Sequence, residues 1–270
     1  MSSVSMSDGP RAWSPRTGRW QTPAGGPLDP AYTAVDSWLV EDGRVRGLER
    51  HTERFTRAAV AGGAVGTDDV ARFFVAVVAA LPRQGRWFPR VELTAGTGEL
   101  RLRVRPAPLR LDEVVVLSTP FVDRRTAPRT KGPDLDRQLA WRAQADAQEA
   151  GEALLAAPDG TITEGVWTTP LWWDGDVLCA VPRGTAARNS VTRALVLALA
   201  PAAGVAVGRE APSVDRLRDS ETWLLSALHG IRLVTGWLLM PGTTPEPAPC
   251  EPGRVETWRA RLDALAQPVP

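Results

Sequence analysis

Three Asp-Gly pairs, Asp42-Gly43, Asp159-Gly160 and Asp174-Gly175, each separate two short runs of strand-forming residues, and they limit what this chain can become. Asp-Gly tolerates positive φ at the two central positions of a tight turn, which is what a hairpin between antiparallel strands requires. Around the first pair, residues 37–40 and 44–48 read as strands. Residues 153–163 turn at Pro158-Asp159-Gly160, and residues 168–181 turn at Asp174-Gly175. Further strand-like runs fall at 90–94, 99–104, 113–118, 205–209 and 222–226. Between them the period changes from two to 3.6. Residues 49–61 place His51, Arg54 and Ala58 on one side of a helix. Asp68 and Asp69 open a second helix, which runs to Leu81 and stops before Pro82. Residues 134–150 form a third helix, stopped by Gly151, and Ser190 caps a fourth that runs to Ala200. Hairpins interleaved with helices give an α/β (α+β) class, with mixed sheets and flanking helices.

The 270 residues suffice for two domains, each with its own core. Residues 1–30, rich in Ser, Gly, Pro and Arg without a period, read as disordered. The segment 31–118 reads as an N-terminal α/β domain, 119–130 as a Pro- and Arg-rich linker and 131–240 as a C-terminal domain. The remainder, 241–270, reads as a Pro-rich tail with a short amphipathic helix. A net charge of +1 gives no reason to expect a nucleic-acid partner. The chain has no apolar run of membrane-spanning length and no signal-like start, so the expectation is a cytoplasmic protein without a membrane partner. Cys179 and Cys250 make no disulfide framework, and His51 and His229 are too few for a His-rich metal site. No metal is expected.

The chain carries 32 basic residues, and Lys131 is its only lysine. Arginine replaces lysine wherever the task is solubility or ion pairing. It does not where the task is attack by a neutral amine, because the guanidinium keeps its proton. Lys131 therefore reads as a Schiff-base nucleophile, against the plainer reading of a leftover surface lysine in an arginine-biased chain.

The surrounding segments favour the nucleophile. Residues 40–55 read Val-Glu-Asp-Gly-Arg-Val-Arg-Gly-Leu-Glu-Arg-His-Thr-Glu-Arg-Phe. Lys131 follows, just ahead of a helix. Residues 159–165 read Asp-Gly-Thr-Ile-Thr-Glu-Gly, and residues 190–193 read Ser-Val-Thr-Arg. A weaker fifth segment, Ser-Ala-Leu-His-Gly-Ile, begins at Ser226. In this order they resemble the class IV aminotransferases, enzymes of fold type IV that depend on pyridoxal 5'-phosphate (PLP). Within that family they look most like the aminodeoxychorismate lyases.

The resemblance implies a two-domain homodimer with PLP held between the domains and a small-molecule substrate. Lys131 would bind the cofactor aldehyde and later shuttle a proton. Glu164 would face the pyridine nitrogen, and Arg54 would clamp the phosphate. Ser190, Val191 and Thr192, at a helix N-terminus, would seat the same phosphate, and Ser226 and Ala227 would form a second phosphate-contacting turn. Ser37 lies at or beside a threonine position of the lyases and would relay a proton. His51 is expected to pack rather than react.

Two departures stand out. Asn189-Ser190 replaces the family's Pro-Gly, and Trp167 follows Gly165 where small residues are usual. Tyr32 is the sole tyrosine, which argues against an ordinary amino-acid transaminase. The implied reaction is release of pyruvate from 4-amino-4-deoxychorismate, or a related chorismate-derived amine, to give p-aminobenzoate in folate biosynthesis. The alternatives are amino-acid transamination on the same cofactor and a PLP-free binding or scaffold protein.

Overall fold

The computed structural model describes residues 9–24, 31–182 and 184–270. They divide into two compact units. The first comprises the described residues up to Leu109, with Thr130–Pro133 and Ala266–Pro270, and the second the described residues of 110–129 and 134–265.

The first unit begins with a hairpin, β1 (Arg11–Ser14) and β2 (Arg19–Gln21), followed by β3 (Tyr32–Ser37), β4 (Val40–Glu41) and β5 (Arg44–Arg46). Helices α1 (Leu48–Ala61) and α2 (Thr67–Ala80) come next, then β6 (Arg86–Trp87), β7 (Arg90–Thr94) and β8 (Leu100–Arg103). An antiparallel sheet runs β2-β1-β8-β7-β3, with β3 at one end. Strand alternation sorts its residues. Val91, Leu93, Leu100 and Leu102 point to the core, where they join Phe55 and Ala59 of α1 and Val70, Phe73, Phe74 and Val77 of α2. Arg90, Glu92, Arg101 and Arg103 occupy the opposite face. In the β4–β5 hairpin, Asp42 and Gly43 both have positive φ, 46° and 70°, as its two-residue turn demands.

The second unit contains β9 (Glu113–Val122), α3 (Leu135–Asp146), β10 (Glu152–Ala156), β11 (Ile162–Gly165), β12 (Thr169–Asp174) and β13 (Val177–Ala180). It continues with α4 (Val191–Leu199), β14 (Ala206–Arg209), α5 (Val214–Arg218), β15 (Thr222–Ser226), β16 (Gly230–Leu238), β17 (Glu246–Pro247) and α6 (Arg254–Asp263). Its strands form one mixed sheet in the order β11-β10-β9-β16-β15-β12-β13-β14, with β17 beside β16. The pairs β9–β10, β9–β16 and β13–β14 are parallel, and α3 is the crossover that the first of these needs. Finally β18 (Ala266–Pro268) pairs with β5 and returns the chain to the first unit.

Several expectations need correcting. Within residues 1–30, the described part is ordered: β1 pairs with both β2 and β8, and Ala12 and Trp13 are buried. The Ser- and Pro-rich composition hid a short hairpin anchored by an edge-on Trp13–Trp20 contact. Residues 1–8 and 25–30 lie outside the described residues. The strand expected at 113–118 extends to Val122 and belongs to the second unit, because its partners β10 and β16 are there. The segment 119–130 is therefore not a plain linker. Its first residues complete β9, its middle is bonded within the second unit, and Thr130–Pro133 belong to the first.

Candidate active site

The site residues fall into two sets, one in each unit. In the first unit, the free edge of β3 is taken by Lys131, whose carbonyl accepts from the Val35 amide at 2.7 Å. The contact is close because Gly132 follows. Its φ is 139°, and a Cβ there would lie 3.1 Å from Cα of Ala34.

The next residue on β3, Asp36, is fully buried and faces α1. Its Oδ1 meets Nδ1 of His51 at 2.8 Å. Arg54, one turn along the same helix face, grips both carboxylate oxygens, with Nε to Oδ2 at 2.8 Å and Nη2 to Oδ1 at 2.7 Å. Burial alone would raise the Asp36 pKa, but the charge of Arg54 and the hydrogen bonds of His51 and Arg54 hold the carboxyl far below the usual carboxylate range. Burial lowers His51 against the pull of Asp36, and the positive charges of Arg54 and Lys131 add to that lowering. His51 therefore packs as a neutral ring. Asp36 escaped the sequence reading, although an acid inside an apolar strand, opposite His51 and Arg54, was its signal.

Ser37 points to the other face of β3. It is 3% exposed. It stands across from Arg90, which stands across from Arg103. Both guanidiniums approach Glu92, at 2.8 and 2.9 Å. Tyr32 lies under Arg90, with the guanidinium carbon 4.7 Å from the ring centroid.

The second unit holds the remaining candidates. Glu164 on β11 is 1% exposed. Its Oε2 accepts from Arg125 at 2.5 Å and Arg188 at 3.1 Å, while Oε1 faces the Thr169 hydroxyl at 3.3 Å. Neither arginine was singled out from sequence. At the start of α4, the Ser190 hydroxyl accepts from the Arg193 amide at 3.2 Å. The first-turn amides of Val191 and Thr192 have no partner among the described residues, as expected at a helix N-terminus. Ser190 has φ −66°, so serine in place of the usual glycine costs no backbone strain. The Ser226 hydroxyl accepts from the His229 amide at 3.1 Å, within the turn that also contains Ala227. Trp167 packs with the cluster of Leu117, Trp141 and Val166.

The profile of the amino-transferase class IV family matches residues 33–237. The chain belongs to this family. No curated protein matches the sequence. Among solved structures, a hypothetical aminotransferase from Mycobacterium tuberculosis in a PLP-bound form is similar at 20% identity, with TM-score 0.76, over 95% of this chain and 98% of that one. A putative branched-chain amino acid aminotransferase from Thermotoga maritima aligns at 16% identity and TM-score 0.74, over 95% of each chain. A putative 4-amino-4-deoxychorismate lyase from Legionella pneumophila aligns at 15% identity and TM-score 0.70, over 90% of this chain and 96% of that one. These likenesses show fold type IV.

Class IV aminotransferases are PLP enzymes, and the residues of this chain fit that cofactor. The unpaired amides at the start of α4 are donors suited to a phosphate. In the first unit, Lys131 offers the type of amine that condenses with an aldehyde; in the second, Oε1 of Glu164 keeps acceptor capacity. Among the described residues, no helix is long and apolar enough to cross a membrane.

Proposed function

We propose that this class IV enzyme is a lyase that releases pyruvate from 4-amino-4-deoxychorismate, or a related chorismate-derived amine, and leaves p-aminobenzoate. The observation that carries this reading is Ser37, a buried serine on the face of the sheet it shares with Arg90 and Arg103. It stands beside two guanidiniums that both approach Glu92. Such a face suits a substrate that carries carboxylates.

Lys131, with Arg54, Glu164, Ser190, Val191, Thr192, Ser226 and Ala227, is proposed to bind PLP, which would supply the electrophilic aldehyde and an electron-withdrawing ring. The neutral amine of Lys131 takes the proton from the amine-bearing ring carbon of the substrate. That electron pair completes the aromatic ring as the ether C–O bond breaks. Ser37 then relays a proton to the methylene carbon of the departing enolpyruvate, giving pyruvate. No acceptor keto acid is consumed. A homodimer in the cytoplasm completes this reading.

The test is product analysis of purified, PLP-loaded protein. We expect pyruvate and p-aminobenzoate in equal amounts without an added keto acid, loss of both in Lys131→Arg, and a rate lower by roughly 10²–10⁴ in Ser37→Ala. Turnover only when a keto acid is supplied would establish transamination instead. A protein that never takes up PLP would leave the binding or scaffold reading.

A further inference from the structure

The carboxylate of Glu164 is already neutralised by protein. Arg125 and Arg188 share its Oε2, and all three side chains are nearly fully buried. Arg125 is fixed in turn by Asp123, with Nε to Oδ1 at 2.9 Å and Nη2 to Oδ2 at 2.7 Å, and by the carbonyls of Pro128 and Ala186 at 3.3 and 3.1 Å. Arg188 also donates to the Val166 carbonyl at 3.3 Å. Thr163 bonds Asp123 from β11, and Thr169 bonds Oε1 of Glu164 from β12. Two other charged groups near this loop are turned to different tasks. Asp134 accepts from the amides of Thr126 and Ala127, and Arg129 donates to the carbonyls of Gly184 and Thr185. Two acids, Asp123 and Glu164, thus balance two guanidiniums, Arg125 and Arg188. Burial works against the Asp123 carboxylate, yet Arg125 keeps its pKa below the usual range. The Arg125 guanidinium is held more firmly protonated by its two carboxylates despite its own burial.

A bare buried carboxylate draws a proton onto a facing pyridine nitrogen, because the pyridinium is then its only counter-charge. In this chain that counter-charge is already supplied by the protein, from Arg125 and Arg188. The geometry points to a tuning role for Arg125 and Arg188: by occupying Oε2 of Glu164 they leave only Oε1 to the ring nitrogen of bound PLP, within a cluster of zero net charge, and so keep that nitrogen less basic than a bare glutamate would. Arg188 is a positioning residue that acts on the cofactor through Glu164. The inference rests on the proposed pairing of Glu164 with the ring nitrogen, and it bears on the reaction. A weaker electron sink is tolerable where departure of pyruvate makes an aromatic ring. It is a handicap where negative charge must be stored for transamination.

The experiment loads the full-length protein with PLP labelled with ¹⁵N at the ring and follows the ¹⁵N shift against pH. It compares wild type, Arg188→Gln and Arg188→Lys. Removal of one cation within a few ångströms of the acceptor should raise the protonation midpoint of the ring nitrogen by about one to three pH units in Arg188→Gln. The midpoint should stay near the wild-type value in Arg188→Lys, which keeps the charge. Arg188→Met repeats the test if the glutamine variant does not fold. An unmoved midpoint with PLP bound would overturn the tuning role alone. Failure of the wild type to retain labelled PLP would overturn the cofactor pairing on which it rests.

Discussion

Asp36 is a buried acid whose ionisation is sustained by two partners on α1, His51 and the two-point grip of Arg54. It does two jobs at once. It fixes the guanidinium expected to meet a cofactor phosphate, and it offsets that guanidinium's charge within the first unit. Removing one partner of a buried pair costs more than the pair itself contributes, because the other charge stays behind desolvated. Asp36→Asn keeps the shape and removes the charge. We expect it to cost about 3–5 kcal/mol in urea unfolding at neutral pH, and a loss below ~1 kcal/mol would mean that Arg54 finds another counter-charge. His51→Gln should cost less, since His51 is neutral and Arg54 would still hold Asp36.

At the scale of elements, the turn between β15 and β16 is sensitive to acid. Nδ1 of His229 accepts from the Leu111 amide at 3.1 Å, so its proton sits on Nε2 and protonating Nδ1 breaks that bond. Burial, with Arg232, Arg110 and Arg142 nearby, lowers the His229 pKa from 6.5 to about 4. A folded pKa below the unfolded one means that the unfolded chain takes the proton first. Stability is therefore intact above pH 6.5 and lost as pH falls toward about 4. His229→Asn should flatten this acid limb, as read from unfolding midpoints at pH 4.5 and 7.5. Equal slopes in both proteins would remove His229 from the account.

The same turn shows how far the sequence could be read. Ser226 and His229 stood out through a motif, and α1, α2 and the three Asp-Gly hairpins through period and turn chemistry, all of which are local. The pairings of β9 with β10 and β16 join residues far apart in sequence, so neither the length of β9 nor its unit was legible. Asp36 was missed for a related reason, because a lone acid in a strand gains meaning only once α1 packs across it. Arg125 and Arg188 were hidden among 32 basic residues that composition cannot tell apart.

For the whole molecule, the decisive feature is that the chain returns to its first unit twice after leaving it at Leu109. The first return, Thr130–Pro133, carries Lys131 to the edge of β3. The second, Ala266–Pro270, is the C-terminus. There β18 pairs with β5, the Val269 amide donates to the Gly43 carbonyl at 2.8 Å, and Val269 is buried in the same core as Val40 and Val45. Arg83 and Arg44 tie this segment further, to the Pro270 and Ala266 carbonyls at 2.7 and 2.6 Å. The tail is thus a structural strand of a unit whose other elements precede it by more than a hundred residues. Burying one valine contributes about 2 kcal/mol, and in a domain of this size that corresponds to roughly 10 °C in Tm. Ending the chain at Leu265 should therefore lower the calorimetric midpoint of the first unit by at least that amount. Amide exchange should quicken in β4 and β5 and stay unchanged in β12 and β13. The full-length variant Val269→Asp should reproduce the effect by placing a charge in that core. A truncated chain that melts within a degree of wild type, with β5 still protected, would show that the β4–β5 hairpin stands without its C-terminal strand.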